Sequence, residues 1–241
     1  ASDNTVQLHS RWRFKQAGKA EWHPATVPGV VHTDLMANKM IEDPYYRLNE
    51  RALQWIDKED WIYEVDFDAG DPIRNCDHVR LEFLGLDTYA DVFLNGTPIL
   101  KADNMFRRWA AEVKPLLKER GNVLRVYFHS PINKALPQYE SLPYRYEAWN
   151  DQADNGGLDG KKLSPFTRKA GYHYGWDWGP RLVTSGIWRP VKLQGWNELR
   201  LEDVFHRQTE VSSEAARVET QVEIEAAAPV ENAVVTVSDG K

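Results

Sequence analysis

Hydrophobic residues at every second position dominate this sequence and restrict it to a fold built mainly from β-strands. Apolar and polar side chains alternate over residues 61–67, 79–83 and 124–128. Because successive side chains of a strand point to opposite faces, this spacing predicts strands with one buried face. Turn residues separate the runs, and little of the chain between them has helical spacing. The pattern therefore predicts an all-β protein, either a two-sheet sandwich or a jelly roll.

Asparagine, glycine and proline mark the turns between these strands. Asn95-Gly96 supplies the two positive φ values of a tight hairpin turn. The tripeptide 95–97 also fits the N-glycosylation pattern, but the hairpin explains the same residues and is the interpretation we favour. Helices are expected to be short and few. Asn49 is predicted to cap a helix over residues 50–57, and the run 115–121 predicts one or two helical turns.

The strand pattern ends a first domain near residue 197. Alternation lapses between about residues 131 and 185 and resumes at 187–193. We therefore predict a first domain, either a two-sheet sandwich or a jelly roll, over residues 1–197. A lapse of this length inside a compact domain is typical of ordered loops that carry function.

Residues 198–241 predict the start of a second domain. A strand with one polar face spans 218–225, and another strand is expected at 234–237, leading into a hairpin turn at Asp239-Gly240. An immunoglobulin-like sandwich needs about seven strands, and only about three fit here. We expect an incomplete immunoglobulin-like domain, which a longer polypeptide or another chain would complete.

Composition excludes several classes of function. The net charge is −6, from 30 Lys and Arg against 36 Asp and Glu, and the two signs are interspersed, so the basic face of a nucleic-acid binder is missing. No apolar run approaches the ~18 residues that a membrane span requires. The single cysteine excludes an intrachain disulfide. Ten tryptophans favour planar or carbohydrate ligands, or a broad buried interface.

One ten-residue segment concentrates the chemistry of a sugar site. It reads Tyr172-His173-Tyr174-Gly175-Trp176-Asp177-Trp178-Gly179-Pro180-Arg181. Flat rings cover the C–H face of a pyranose, and a carboxylate accepts hydrogen bonds from its hydroxyls. Between two indoles Asp177 has little contact with water, so each of its hydrogen bonds counts for more. The alternative is that Trp176 and Trp178 fill the core of the sandwich.

Acidic clusters elsewhere in the chain do not predict a metal site or a catalytic pair. The polar, Gly-rich loop 150–160 contains three aspartates whose spacing misses that of a calcium loop, and we predict no metal site there. These are Asp151, Asp154 and Asp159. A second acidic group is expected to form an exposed charged turn, namely Asp57, Glu59 and Asp60. Serine-nucleophile, zinc-protease and phosphate-loop motifs are missing as well, and no cofactor is expected.

Seven segments spread over the first domain carry a family resemblance. They are residues 22–35, 43–47, 60–63, 83–96, 104–106, 175–180 and 187–191. In register, they resemble the amino-terminal domain of retaining β-mannosidases, which share a glycoside hydrolase family with β-galactosidases and β-glucuronidases. The Gly-Trp-Asp-Trp-Gly-Pro run at 175–180 is the most β-mannosidase-like of them.

The resemblance implies a larger architecture than this chain contains. It implies a jelly-roll (galactose-binding-like) domain, an immunoglobulin-like domain, and a (β/α)₈ barrel that holds two catalytic glutamates. No residue here matches either glutamate, so no catalytic residue is assigned and this portion alone is expected to be inactive. The implied partners are a β-mannoside oligosaccharide and the barrel of the same polypeptide.

The resemblance also assigns roles to particular residues. Asp177 is expected to bind hydroxyls of the terminal sugar, and Trp176 to form a wall of the same pocket. Tyr174 and Arg181 either line the pocket or brace the loop, and Asn104 is a weaker candidate beside it. Three further expectations concern packing. Trp178 packs into the core, His173 is structural, and the remaining tryptophans lie in the core or between domains, namely Trp12, Trp22, Trp55, Trp61, Trp109, Trp149, Trp188 and Trp196.

The resemblance therefore implies the N-terminal part of an exo-acting β-mannosidase that removes terminal β-linked mannose with retention of configuration. A free-standing carbohydrate-binding module is the alternative, since it explains the tryptophans and the sandwich without catalytic carboxylates. A purely structural sandwich is a third, weaker interpretation. The opening residues Ala1-Ser2-Asp3-Asn4 carry no apolar stretch, so any leader is expected to have been removed. The resemblance implies a periplasmic, secreted or lysosomal location, and the sequence leaves the cytoplasm open.

Overall fold

The computed structural model of the protein describes residues 4–238 and contains two antiparallel sheets and a separate hairpin. The strands are β1 (Asn4–Gln7), β2 (Arg13–Gln16), β3 (His23–Pro24), β4 (Trp61–Phe67), β5 (His78–Phe83), β6 (Ala90–Leu94), β7 (Thr97–Ala102), β8 (Trp109–Glu112), β9 (Asn122–Phe128), β10 (Val191–Trp196), β11 (Leu199–Val211) and β12 (Ala216–Ala226). The α-helices are α1 (Val31–Ala37), α2 (Asn49–Ala52), α3 (Asp71–Arg74) and α4 (Pro131–Ser141). Short 3₁₀ turns span Ile56–Lys58, Lys114–Leu116, Ser164–Phe166 and Gly171–Tyr174.

The strands assemble into a sandwich whose two sheets share one core. One sheet has the order β1-β10-β5-β8 and the other has the order β3-β2-β4-β9-β6-β7. Apolar residues from β4, β5 and β9 belong to a single buried cluster. The predicted alternation is confirmed, since Trp61, Tyr63, Val65 and Phe67 are all buried. The all-β prediction is confirmed with it.

Helix α1 is fixed to the sandwich by a buried hydrogen bond from a core tyrosine. The Tyr63 hydroxyl donates to Asp34 Oδ2 at 2.6 Å, and the backbone N–H of Thr26 donates to Asp34 Oδ1 at 2.8 Å. Burial raises the pKa of Asp34, although both hydrogen bonds act to lower it. Because an unpaired buried carboxylate is costly, these two donors stabilise the position of the helix.

The Asn95-Gly96 hairpin is confirmed. Asn95 has a φ of 52° and Gly96 a φ of 83°, and they join β6 to β7. The Asn95 Nδ2 group donates to Leu116 O at 2.8 Å and to Asn122 Oδ1 at 3.1 Å. Both amide hydrogens are thereby engaged inside the fold, which supports the hairpin over the glycosylation site.

The helices differ from the sequence-based expectation. Asn49 begins α2 instead of capping it, and its side chain donates to Asp43 O at 2.9 Å. The cap prediction was therefore wrong. The turn predicted at 115–121 is present as the short 3₁₀ helix at Lys114–Leu116. Helix α4, with 11 residues, was missed because Pro137 inside it breaks the expected pattern.

The second part of the chain forms one long hairpin, β11–β12. The strand predicted at 218–225 lies within β12 and is confirmed. The strand predicted at 234–237 was wrong, because these residues have no ladder partner in the described part of the chain and Val234 is 93% exposed. The turn predicted at Asp239-Gly240 lies outside the described residues. The division between domains at residues 197 and 198 stays a prediction.

The tryptophans divide between core and surface. Trp12, Trp61 and Trp196 are buried, and Trp22, Trp109 and Trp188 are half-buried. Trp149 is 86% exposed, and Trp55 also reaches the surface, so neither belongs to the core. Within residues 4–238 no helix reaches the length and apolarity that crossing a membrane requires.

The cap of α4 yields a test of the fold. Ser130 Oγ accepts from the Asn133 backbone N–H at 3.0 Å and donates to Asp57 O at 2.6 Å. We expect Ser130→Ala to lower the free energy of unfolding by about 1–2 kcal/mol in urea denaturation, because both bonds are lost from a buried position. The control is Ser141→Ala at the exposed end of the same helix. Equal losses in the two variants would contradict the cap.

Candidate functional site

The aromatic segment lies in a narrow loop over residues 169–184, here called the aromatic loop. Hydrogen bonds join its two arms at three positions. Hydrogen bonds connect Lys169 with Thr184 (2.7 Å), His173 with Leu182 (3.0 Å), and Trp176 with Gly179 (3.1 and 3.4 Å). The last pair exchanges backbone hydrogen bonds in both directions, as in a two-residue hairpin. Asp177 and Trp178 therefore form the tip of the loop.

The polar loop 150–160 supports the first arm of this aromatic loop. The Gln152 backbone N–H donates to Tyr174 O at 2.9 Å, and its side chain donates to Trp176 O. Gly175 has a φ of +96°, and a Cβ there would lie 2.9 Å from the Gln152 side chain. A glycine is therefore required where the two loops meet.

A buried guanidinium fixes the second arm. Arg181 is fully buried, and its Nη1 lies 2.5 Å from Asp57 Oδ2 and 2.6 Å from Gln54 Oε1. Its backbone N–H donates to Glu50 Oε1 at 2.6 Å. Of the two roles considered for Arg181, the contacts match bracing of the loop. The prediction of an exposed charged turn was wrong for Asp57. This residue is buried, and its carboxylate pairs with the Arg181 guanidinium.

Tyr174 packs the base of the loop against helix α4. Its ring is fully buried in a small cluster with Ile132, Ala135, Leu163 and Val183. Burial raises the pKa of its hydroxyl well above the usual value. Tyr174 therefore supports the loop from within and does not line the cavity beside it.

The loop and helix α1 enclose a cavity of about 550 Å³. Both Trp176 and Trp178 line it, together with Tyr172 from the same loop and Tyr45 from the segment after α1. The rest of the lining is apolar or uncharged. It includes two imidazoles, those of His32 and His173, which are more buried than the exposed rings of Tyr45, Tyr172 and Trp178 and therefore form the base of the cavity. Among the described lining residues none is Asp, Glu, Lys or Arg.

The tip of the loop is open to solvent. Trp178 is 80% exposed, so the prediction that it packs into the core was wrong; two-residue tips project both side chains outward. Asp177 is also exposed, so the expectation that its carboxylate has little contact with water was wrong. The carboxylate has no hydrogen-bond or ion-pair partner within residues 4–238, and Asp177 is not among the residues that line the cavity. Trp176 is half-buried. The carboxylate is thus free to accept hydrogen bonds from a ligand.

Asn104 lies away from this cavity. Its side chain accepts a hydrogen bond from the Phe106 backbone N–H at 2.9 Å, and its backbone forms a bridge with Arg168. Asn104 shapes its own turn and is not among the residues that line the cavity. The structure therefore does not bring it together with Trp176.

Sequence reasoning missed a buried charged group behind the cavity. Lys169 Nζ lies 2.5 Å from Asp87 Oδ2, and both side chains are essentially without solvent exposure. His173 Nδ1 lies 3.8 Å from the same carboxylate oxygen. Burial, followed by the charge of Lys169, lowers the pKa of both His32 and His173 to about 4. Both imidazoles are therefore neutral at pH 7.

The match to a family model covers most of this architecture. A model described as the glycosyl hydrolase 2 galactose-binding domain-like family matches residues 12–189. The chain belongs to that family. The matched range includes every strand of the two sheets except β1 and β10, and it includes the complete aromatic loop.

Known members with similar sequences are β-mannosidases. The chain is 39% identical to β-mannosidase B of Thermothelomyces thermophilus over 204 residues, which cover 83% of this chain and 23% of that protein. It is 35% identical to β-mannosidase of Bos taurus over 199 residues, or 82% of this chain and 22% of that protein. The galactose-binding-like chain thus spans about a quarter of the length of these relatives.

Solved structures of glycoside hydrolases are also similar to this chain. The crystal structure of β-D-mannosidase from Dictyoglomus thermophilum matches with a TM-score of 0.83 and 40% identity, over 92% of this chain and 26% of that one. The structure of β-D-glucuronidase from the same organism matches with a TM-score of 0.57 at 15% identity, over 92% of this chain and 33% of that one. At 15% identity, the similarity to the β-D-glucuronidase shows a shared fold and nothing more.

The buried ion pair generates a stability prediction. We expect Arg181→Met to lower the free energy of unfolding by about 3–5 kcal/mol, because it leaves Asp57 buried without its charged partner. The double variant Asp57→Leu with Arg181→Met should recover most of that loss, since neither charge remains. Urea denaturation at pH 7 measures both. A double variant that is no more stable than Arg181→Met would contradict the coupling.

The two neutral imidazoles generate a pH prediction. In the unfolded chain histidine binds a proton near pH 6.5, whereas His32 and His173 do so only near pH 4 in the fold. The unfolded state therefore binds more protons between these values, and stability falls as the pH is lowered through this window. We expect a loss of about 2 kcal/mol per histidine between pH 7 and pH 5.

The measurement compares urea denaturation of the chain with that of the double variant His32→Gln/His173→Gln at both pH values. Other groups titrate equally in both proteins, so the difference isolates the two histidines. The variant should lose less stability than the parent on acidification. Parallel losses would show that these histidines are protonated normally in the fold.

Proposed function

We propose that this chain forms the glycone-binding part of a retaining, exo-acting β-mannosidase. The observation that carries the proposal is the unpaired carboxylate of Asp177, presented between two indoles at the tip of a loop that is fixed by buried charges. The β-mannosidase names of the relatives support mannose as the sugar.

In this proposal Asp177 binds hydroxyls of the terminal mannose, and Trp176 contacts the C–H face of its ring. A carboxylate held in a fixed position lowers the entropic cost of orienting the sugar. Its hydrogen bonds to the sugar accelerate the reaction only if they are stronger in the transition state than in the bound substrate. Tyr174 and Arg181 act through the loop, since both are buried below it. Asn104 has no role in this proposal.

The bond-breaking groups would come from outside this chain. Retaining hydrolysis needs one carboxylate as nucleophile and another as acid and base, about 5–5.5 Å apart. We propose that a (β/α)₈ barrel of the same polypeptide supplies both as glutamates and docks against the face that bears Asp177. The aromatic loop would then close the far side of the pocket, which restricts cleavage to chain ends.

The domain organisation belongs to the same proposal. We assign residues 1–197 to the jelly-roll domain and residues 198–241 to the start of an immunoglobulin-like domain. The β11–β12 hairpin supports the division, because its exposed apolar residues, such as Phe205 and Val218, need a second sheet to cover them. A periplasmic, secreted or lysosomal location follows from the family resemblance, with the cytoplasm as the alternative.

Removal of the Asp177 carboxylate tests the proposal in the complete polypeptide. Charge-assisted hydrogen bonds contribute about 1.5–3 kcal/mol each, so losing two should reduce kcat/KM on an aryl β-mannoside by roughly 10²–10⁴-fold in Asp177→Ala. Asp154→Ala is the matched control, because Asp154 is exposed in the neighbouring loop and its side chain has no hydrogen bond within residues 4–238. A loss below tenfold in Asp177→Ala would remove Asp177 from the site.

A further inference from the structure

Two histidines at the base of the cavity carry nitrogen atoms that have no partner in the described structure. His32 is only 7% exposed, and its Nδ1 is buried without a hydrogen bond. His173 Nδ1 is likewise buried without a hydrogen bond. Both residues nevertheless line the cavity. Since Nδ1 is inaccessible in each ring, Nε2 is the nitrogen that a ligand in the cavity can reach.

The carboxylate behind His173 determines which nitrogen of that ring carries the proton. Asp87 Oδ2 lies 3.8 Å from Nδ1, which is too long for a hydrogen bond but close enough to disfavour a lone pair there. The carboxylate therefore favours the neutral tautomer that carries its proton on Nδ1. Nε2 of His173 is left as an acceptor that points away from the carboxylate.

The charges around the rings keep them neutral. Lys169 and Asp87 face His173, and Lys169 and His173 act on His32. The positive charge of Lys169 and the burial of both rings oppose protonation, while Asp87 alone favours it at His173. A neutral imidazole offers one donor and one acceptor, which is the complement of a hydroxyl group.

We propose that His32 and His173 form an uncharged hydroxyl-binding floor of the aromatic cavity, which recognises a neutral hexopyranose whose ring lies against Trp176. This inference rests on the proposed function, because it places the same sugar on the same indole. The described lining contains no lysine or arginine, so a uronic acid would enter without a partner for its carboxylate. The floor therefore selects neutral sugars against hexuronates.

Imidazole nitrogen NMR of the complete polypeptide tests the floor directly. Methyl β-mannoside is titrated into protein labelled with ¹⁵N at histidine, and binding is followed in parallel by calorimetry. We expect the unprotonated Nε2 resonance of His173 to shift at saturation, because a sugar hydroxyl then donates to it. Calorimetric binding with no shift at His173 or His32 would overturn the floor and leave the Asp177 proposal intact. Absence of any binding would overturn both.

Kinetics of matched variants provide the second test. His173→Phe keeps a flat ring and removes both nitrogens, so we expect a 10- to 100-fold loss of kcat/KM, mostly through KM, and partial recovery in His173→Gln. His206→Phe on the exposed face of β11 is the control and should change kcat/KM less than twofold. Methyl β-mannuronate should compete at least tenfold more weakly than methyl β-mannoside. Equal competition, or no effect of His173→Phe, would overturn the proposal.

Discussion

The architecture of the site depends on one guanidinium placed where water cannot reach it. Arg181 joins the end of the aromatic loop to Asp57, which lies 124 residues earlier within the 3₁₀ turn at Ile56–Lys58. An ion pair of this kind adds little net stability over apolar packing, but either charge alone would be strongly unfavourable. The pair therefore fixes where the end of the loop lies, because moving either residue away would leave the other charge buried alone. Because the ion pair fixes the end of the loop, it also fixes the position of the exposed tip.

A second buried pair supports the other end of the loop by the same principle. Lys169 and Asp87 are removed from solvent, and the lysine also donates to Thr184 O at 2.7 Å across the base of the loop. Two buried ion pairs therefore hold a segment whose functional side chains are free. The base of the loop is held rigidly, and the polar atoms at its exposed tip have no partner in the described structure. The binding site is therefore formed before a ligand binds, which reduces the entropic cost of binding.

Local sequence patterns correctly predicted the strands and turns that depend only on residues adjacent in the chain. The strands β4, β5 and β9 follow directly from alternation, and Asn95-Gly96 follows from turn chemistry, because each requires only adjacent positions. The aromatic loop was found by composition. Asp57 could not be placed, because its burial depends on a partner far along the chain, and the strand expected at 234–237 failed because a ladder needs a second strand. Trp178 was misplaced because hydrophobicity does not report which side of a turn faces solvent.

The two-residue tip makes the register of the aromatic loop sensitive to chain length. Trp176 and Gly179 exchange both backbone hydrogen bonds, so the frame of the loop ends at a defined pair of residues. One inserted residue would move the carboxylate by about 3 Å and rotate it to the opposite side. The number of residues at the tip therefore fixes the direction of the Asp177 carboxylate as much as the identity of its neighbours does.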